Sequence, residues 1–177
     1  MVANITDKAA IVGIGSTEFS KNSGRSELSL AIEAVKAALD DAGLAPGDID
    51  GMVTFTMDTN EEIEIARALG CDELTFYGRV PYGGGAATGT LHQAVMAVAT
   101  GMAQTVVCYR ALNGRSGFRY SDGVSGDLIT GSAIHYGWYT PFGLLTPSSW
   151  VATYSQRYMH LDGVTPDALF EVAHSTH

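Results

Sequence analysis

The 177-residue sequence predicts an α/β fold, and three observations carry that prediction. Short, continuously apolar runs such as Ala9–Gly15 and Thr105–Tyr109 have the composition of strands buried on both faces. Between them the apolar residues recur at three- and four-residue steps, as in amphipathic helices. The two patterns alternate along the first half of the chain, which implies βαβ units and a largely parallel sheet.

Taken in order, Ala9–Gly15 is the first expected strand, followed by a polar loop over Ser16–Arg25. Leu28, Ala31, Ile32, Val35, Leu39 and Ala42 then mark a helix, with Ser26 as its N-cap and Gly43 as its left-handed stop. Asp48-Ile49-Asp50-Gly51 leads into Met52–Thr56, a second strand by its β-branched content. A helix is expected over Glu61–Leu69, with Ile63, Ala66 and Leu69 or Ile65 inward. Glu61, Glu62 and Glu64 sit in its first turn, where the helix dipole favours them. Leu74–Tyr77 reads as a short strand.

After Pro81-Tyr82-Gly83-Gly84-Gly85-Ala86-Ala87-Thr88-Gly89, the residues Leu91, Ala94, Val95, Val98, Ala99 and Met102 mark a helix that is small or apolar nearly all round. Such a helix is expected to be buried. Gly101 ends it, and Thr105–Tyr109 reads as a central strand. Asn113–Tyr139 is glycine-rich without a clean period, and a loop of that length is usually functional or an interaction surface. A helix after Pro147 carries Trp150, Tyr154 and Tyr158 on one face, a stripe expected to be core. A last helix opens at Thr165-Pro166-Asp167 and runs to His177 without a cap, so the chain is expected to be a piece of a longer one.

Composition narrows the function classes. Hydrophobic residues make up 46% and charged residues 16% of the chain. That excludes disorder and leaves little charged surface, so an interface is expected. The net charge of −9 argues against non-specific binding to nucleic acid or to an anionic membrane. Met1–Ala10 lacks the apolar core of a signal peptide, and the longest apolar stretch, Ala94–Ala103, is too short to span a bilayer. Cys71 and Cys108 show neither metal spacing nor a disulfide framework; they read as two buried thiols in a soluble, cytoplasmic protein.

The glycine run is the sharpest chemical feature. Glycines entering a helix leave backbone N–H groups at its positive end, a place for an oxyanion or phosphate; they equally permit close packing, and both readings stand. The run is not a P-loop, because no Gly-Lys-Ser/Thr follows, and Gly13-Ile14-Gly15 lacks the third glycine of a dinucleotide fingerprint. The five histidines show no metal spacing, and His92 reads as a core histidine. Arg110, Arg115 and Arg119 can meet phosphates or simply be solvated or ion-paired.

The Ala9–Gly15 strand, the Glu27–Ala42 helix, Asp48-Ile49-Asp50-Gly51, Ala86-Ala87-Thr88-Gly89 on a buried helix and the Thr105–Leu112 strand together resemble the N-terminal half of the thiolase superfamily. The likeness is to its sterol carrier protein X branch, where Cys-Ala-Thr-Gly opens that helix and the cysteine accepts the acyl group. Here Ala86 stands in the cysteine's place, and an alanine forms no thioester. Val80–Gly85, Tyr109–Asn113 and Pro141–Pro147 with Trp150 look like the cysteine-less, thiolase-like aldolases that cleave steroid side-chain β-hydroxyacyl-CoA esters.

The resemblance implies a thiolase-like fold, with residues 1–177 as the N-terminal half of the domain, 113–165 as its loop-domain region and the C-terminal half outside this chain. It implies retro-aldol cleavage to a 17-ketosteroid and propionyl-CoA, with no cofactor beyond the CoA of the substrate and no metal. Substrate-binding positions are expected at Tyr82, Gly84, Gly85 and Tyr139, and CoA-binding positions at Arg115 and Arg119. The catalytic acid and base remain unknown and are expected in the other half. The partners implied are a second copy, through a thiolase-type homodimer interface, and a small OB-fold protein associated with acyl-CoA enzymes. The alternatives are a non-catalytic acyl-CoA or lipid-binding scaffold subunit and, third, a cysteine thiolase working through Cys71 or Cys108.

Overall fold

The first helix, α1 (Glu27–Ala42), begins and ends where its caps dictate. Ser26 is extended and its hydroxyl accepts from the Ser29 amide at 3.1 Å, while Gly43 takes the left-handed conformation, φ 68°. A computed structural model gives this geometry and describes residues 5–55, 58–80, 85–117 and 137–176 of the chain. Two compact units result, Met1–Phe118 and Arg119–His177.

In the first unit the stripe Leu30, Ala31, Val35 and Leu39 of α1 packs into a core with Ile49, Met52, Ile65, Ala66 and Leu69. Strand β1 (Gly51–Phe55) supplies Met52, helix α2 (Glu62–Leu69) the last three. Strand β2 (Phe76–Val80), helix α3 (Ala86–Thr100) and strand β3 (Val106–Cys108) follow. The sheet has three parallel strands in the order β2-β1-β3, with Gly51 opposite both Phe76 and Val106. Parallel strands need crossovers, and α2 and α3 provide them. Met52, Val53 and Thr54 are fully buried, as the central strand of an α/β sheet must be.

The ends of β1 are fixed by carboxylates. Asp50, just before β1, accepts from the Gln104 amide at 2.8 Å and the Thr105 amide at 2.8 Å, fastening the chain that enters β3. Its carbonyl accepts from the Thr75 and Phe76 amides at the entry to β2.

Several sequence expectations change. Ala9–Gly15 forms no regular element and pairs with no strand among the described residues, and Ile11, Val12 and Ile14 are exposed. The segment lies on α1 instead. A Cβ at Gly13 would stand 2.3 Å from the Ala38 carbonyl oxygen, and one at Gly15 2.2 Å from that of Ala34. The Ile14 amide donates to the Asp41 carboxylate at 2.9 Å. The two glycines thus seat the backbone against a helix, not in a ladder.

Strand β1 starts one residue earlier than Met52, and Thr56 lies outside the described residues. Glu61 is the N-cap of α2, not its first residue, and Ile63 faces out while Ile65, Ala66 and Leu69 face in. The strand expected at Leu74–Tyr77 forms at Phe76–Val80, where the chain runs in register with Gly51–Phe55. β3 is the edge of the described sheet, not its centre. α3 buries Ala86, Thr90 and Ala97 on one face, whereas Leu91 and Met96 are exposed, as is His92. Met102 falls beyond the Gly101 cap. Cys71 and Cys108 are half-buried rather than buried.

In the second unit, α4 (Pro147–Asp162) is capped by Thr146, whose hydroxyl accepts from the Ser149 amide at 3.2 Å, and α5 (Pro166–Ser175) has proline in its first turn. Thr165 caps α5 without a side-chain hydrogen bond. The stripe expected to be core is not: Tyr154 and Tyr158 are exposed, and Trp150 packs on Tyr139 with ring centroids 5.5 Å apart. No helix among the described residues is long and apolar enough to cross a membrane.

The glycine contacts make a direct prediction. Gly15→Ala should cost about 1–3 kcal/mol through overpacking against Ala34. Gly114→Ala, where an added Cβ meets nothing within 4 Å, should be near neutral in the same denaturant-unfolding experiment. Equal losses at both positions would refute the seating of Gly15 on α1.

Candidate functional site

The carboxyl ends of the parallel strands and the N-terminus of α3 are where an α/β unit offers a ligand site. α3 begins at Ala86, with Gly85 as a cap that supplies no side chain. The Gly85 carbonyl is already taken, accepting from the Gly89 amide at 3.0 Å and the Thr88 hydroxyl at 2.8 Å. The amides of the helix's first turn have no intrahelical acceptor, so the helix presents donors and a partial positive charge.

Packing does not demand glycine at Gly85. Its φ is −74°, and a Cβ there would meet nothing within 4 Å. Gly89 differs: a Cβ there would stand 3.0 Å from Val80 Cγ1, so the second turn of α3 rests closely on the end of β2. Close packing thus accounts for Gly89 and not for Gly85. Ala86 itself is 2% exposed. The first residue of the helix is a buried methyl, not a nucleophile.

Neither of the two cysteines of this chain stands at the start of α3. Cys108 lies on β3 and Cys71 follows α2. Burial pushes the Cys108 thiol up, opposed by a hydrogen bond with Thr90. Burial and the Asp72 charge do the same at Cys71. A thiol held protonated is a poor nucleophile.

Around the strand ends lies a polar cluster that the sequence reading missed. Asp58, 2% exposed, accepts from the Asn60 amide at 2.8 Å, the Asn60 side chain at 2.9 Å and the Ala111 amide at 2.7 Å. The Tyr109 hydroxyl donates to the Asn60 carbonyl at 3.1 Å, and the Thr54 hydroxyl to the Tyr109 carbonyl at 3.0 Å. From β2, Arg79 donates to the Asp58 carbonyl at 3.1 Å and the Asn60 carbonyl at 3.2 Å. The signal was an Asp-x-Asn sequence a few residues after a strand, but its partners lie as far as 53 residues away. Burial, with the Glu62 and Asp58 charges adding to it, pushes the Tyr109 phenol far above its ordinary value. Arg110 stacks over the Phe55 ring, 4.3 Å from its centroid.

The chain leaving β3 is pinned as well. The Asn113 amide donates to Glu27 at 3.0 Å, and its side chain donates to the Arg25 carbonyl at 2.9 Å. Of the expected site residues, Gly85 stands beside Ala86 at α3, and Arg115 lies in the exposed turn after Asn113. Tyr139 belongs to the second unit, against Trp150. Tyr82, Gly84 and Arg119 lie outside the described residues. Among the described residues, no group of three or more His, Cys, Asp or Glu side chains is arranged to hold a metal ion.

No family model matches the chain. It is 60% identical over 167 residues, 93% of its length, to a "Steroid side-chain-cleaving aldolase" of Thermomonospora curvata. It is 56% identical over 165 residues to a "17-hydroxy-3-oxo-4-pregnene-20-carboxyl-CoA lyase" of Mycobacterium tuberculosis. The chain spans 43% and 42% of the length of these two relatives. The solved structure of an "Ltp2-ChsH2(DUF35) aldolase" superposes with a TM-score of 0.69 at 59% identity, over 88% of this chain and 39% of that one.

The Tyr109 environment predicts a pH dependence. A phenol whose folded value is raised contributes stability that is intact below its ordinary value of ~10 and is lost as pH rises beyond it. Unfolding midpoints of the wild type should therefore fall more steeply above about pH 10 than those of Tyr109→Phe, which itself should cost about 1 kcal/mol at neutral pH for the lost hydrogen bond. Parallel alkaline profiles would contradict the burial of this hydroxyl.

Proposed function

We infer that this chain, a relative of the steroid side-chain-cleaving aldolases in the thiolase-like superfamily, is part of a carbon–carbon lyase acting on a β-hydroxyacyl-CoA thioester with a steroid as the acyl body. The observation that carries this reading is Ala86. At the first residue of α3, where a thiolase needs its cysteine, the chain has a buried methyl group.

Retro-aldol cleavage fits a site without a nucleophile. A base takes the proton of the β-hydroxyl, the carbinol carbon becomes a ketone carbonyl, and the bond to the α-carbon breaks. Its electron pair passes into the thioester enolate, which is then protonated at carbon to give the shortened acyl-CoA. No acyl group is transferred to the protein. The step needs donors aimed at the thioester oxygen as charge develops there, and the open first turn of α3 is a source of such donors. With no side chain at Gly85, a thioester can approach those amides closely.

The products of the proposed reaction are a 17-ketosteroid and propionyl-CoA. The proposed reaction uses no cofactor beyond the CoA of the substrate, with Arg115 as a candidate for its phosphates. Substrate-binding roles for Tyr82, Gly84, Gly85 and Tyr139 and a CoA-binding role for Arg119 are part of the proposal, and the acid and base are assigned to the part of the longer relatives that this chain does not span. The solved relative pairs an Ltp2 with a ChsH2 chain. By that analogy a second, small subunit of OB-fold type is proposed here, together with a homodimer of the thiolase kind.

The test is a product assay on the full-length protein co-expressed with its small partner. A steroid β-hydroxyacyl-CoA is offered without free CoA, and ketone and shortened acyl-CoA are sought by mass spectrometry. Both products should appear, and turnover should stay within about threefold of wild type when Cys71 and Cys108 are changed to Ala. Tight acyl-CoA binding without cleavage would instead make the protein a scaffold. Activity abolished in that double variant without loss of folding would make it a cysteine enzyme.

A further inference from the structure

We propose that Arg79 is a positioning residue, whose guanidinium holds the first turns of α3 in place against the ends of β1 and β3. The proposal rests on the reading of the α3 N-terminus as the reaction site, and its basis is a continuous chain of contacts. Arg79 is the penultimate residue of β2 and reaches across to the turn after β1, donating to the Asp58 and Asn60 carbonyls through its two terminal nitrogens. That turn is tied to the exit of β3 through Asp58 to the Ala111 amide and through the Tyr109 hydroxyl to Asn60. On its other side Arg79 is followed by Val80, whose side chain packs on α3 at Gly89, one turn from Ala86.

A β2 end that is free to shift would carry α3 with it, because Gly89 leaves no side chain between helix and strand. The fork geometry matters more than the charge. The Glu62 carboxylate stands 3.9 Å from Nε of Arg79, beyond hydrogen-bond distance, so the tie is made mainly by two directed hydrogen bonds to carbonyls. A lysine places a single ammonium there and cannot span both oxygens in the same way. Arg79 is itself 42% exposed, so replacing it opens no cavity in the core.

The experiment uses the full-length protein with its partner, as wild type, Arg79→Met and Arg79→Lys. Turnover is measured together with KM, thermal midpoint and the hydrogen exchange of individual amides. Misplacing donors by a fraction of an ångström to an ångström costs roughly 10–100-fold in rate. Arg79→Met should lose about that much kcat with KM within roughly threefold and the thermal midpoint little changed; Arg79→Lys should recover only part. Exchange of the Gly89 and Thr90 amides should quicken in Arg79→Met while that of α1 does not.

Unchanged kcat and unchanged exchange would overturn the inference. So would a loss of kcat matched by a general fall in stability and by faster exchange throughout the unit. A wild type that fails to cleave the substrate, with exchange at Gly89 and Thr90 still responding to Arg79→Met, would sink the aldolase reading and leave the positioning role in place.

Discussion

Everything in the first unit depends on a central strand held at both ends by a carboxylate. Asp50 before β1 and Asp58 after it each accept backbone N–H groups from the chain on either side of β3. A carboxylate that takes two or three amide donors gains charge-assisted hydrogen bonds and leaves no buried donor unmet. β1 between them is almost wholly buried. The parallel ladders set the register of the three strands, and the carboxylates add ties between β1 and the chain entering and leaving β3. The two aspartates tie β1 to the chain around β3 at the entry and the exit of the sheet, and the exit is where the proposed chemistry would take place.

At that exit the helix α3 stands on the sheet through its small residues. Ala86, Thr90 and Ala97 face inward, and Gly89 lets the backbone approach Val80. The same choice of small residues that permits the close approach also removes the nucleophile, since the first residue is alanine. What is left is a helix end rich in donors and poor in side chains. Such an end stabilises charge developing on a bound oxygen without joining the reaction covalently, as the proposed cleavage requires.

Local features of the sequence foretold local structure well. Ser26 and Gly43 bracket α1 where capping chemistry puts them, and the glycine run ends where α3 begins. Burial was read less well, because it depends on what lies against a face. Ala9–Gly15 has a strand's composition, yet its backbone lies on α1 through Gly13 and Gly15, and its large residues are exposed. Leu91 and Met96 on α3 and Tyr154 and Tyr158 on α4 are apolar or aromatic and likewise exposed. The Asp58 cluster was illegible for another reason: Asp58 and Ala111 meet only once the sheet has formed. Gly85 and Ala86, by contrast, could be singled out in advance, because a helix start preceded by glycines is a local pattern.

The proposed reaction proceeds at the start of α3 without a covalent acyl-enzyme. Its most direct test is an intact-mass measurement on the full-length protein, quenched in acid during turnover of the steroid β-hydroxyacyl-CoA and again after the substrate is exhausted. The account predicts an unmodified protein mass at both times while ketone and shortened acyl-CoA accumulate. A fraction of the protein heavier by the acyl group during turnover, and returning to its original mass afterwards, would contradict it.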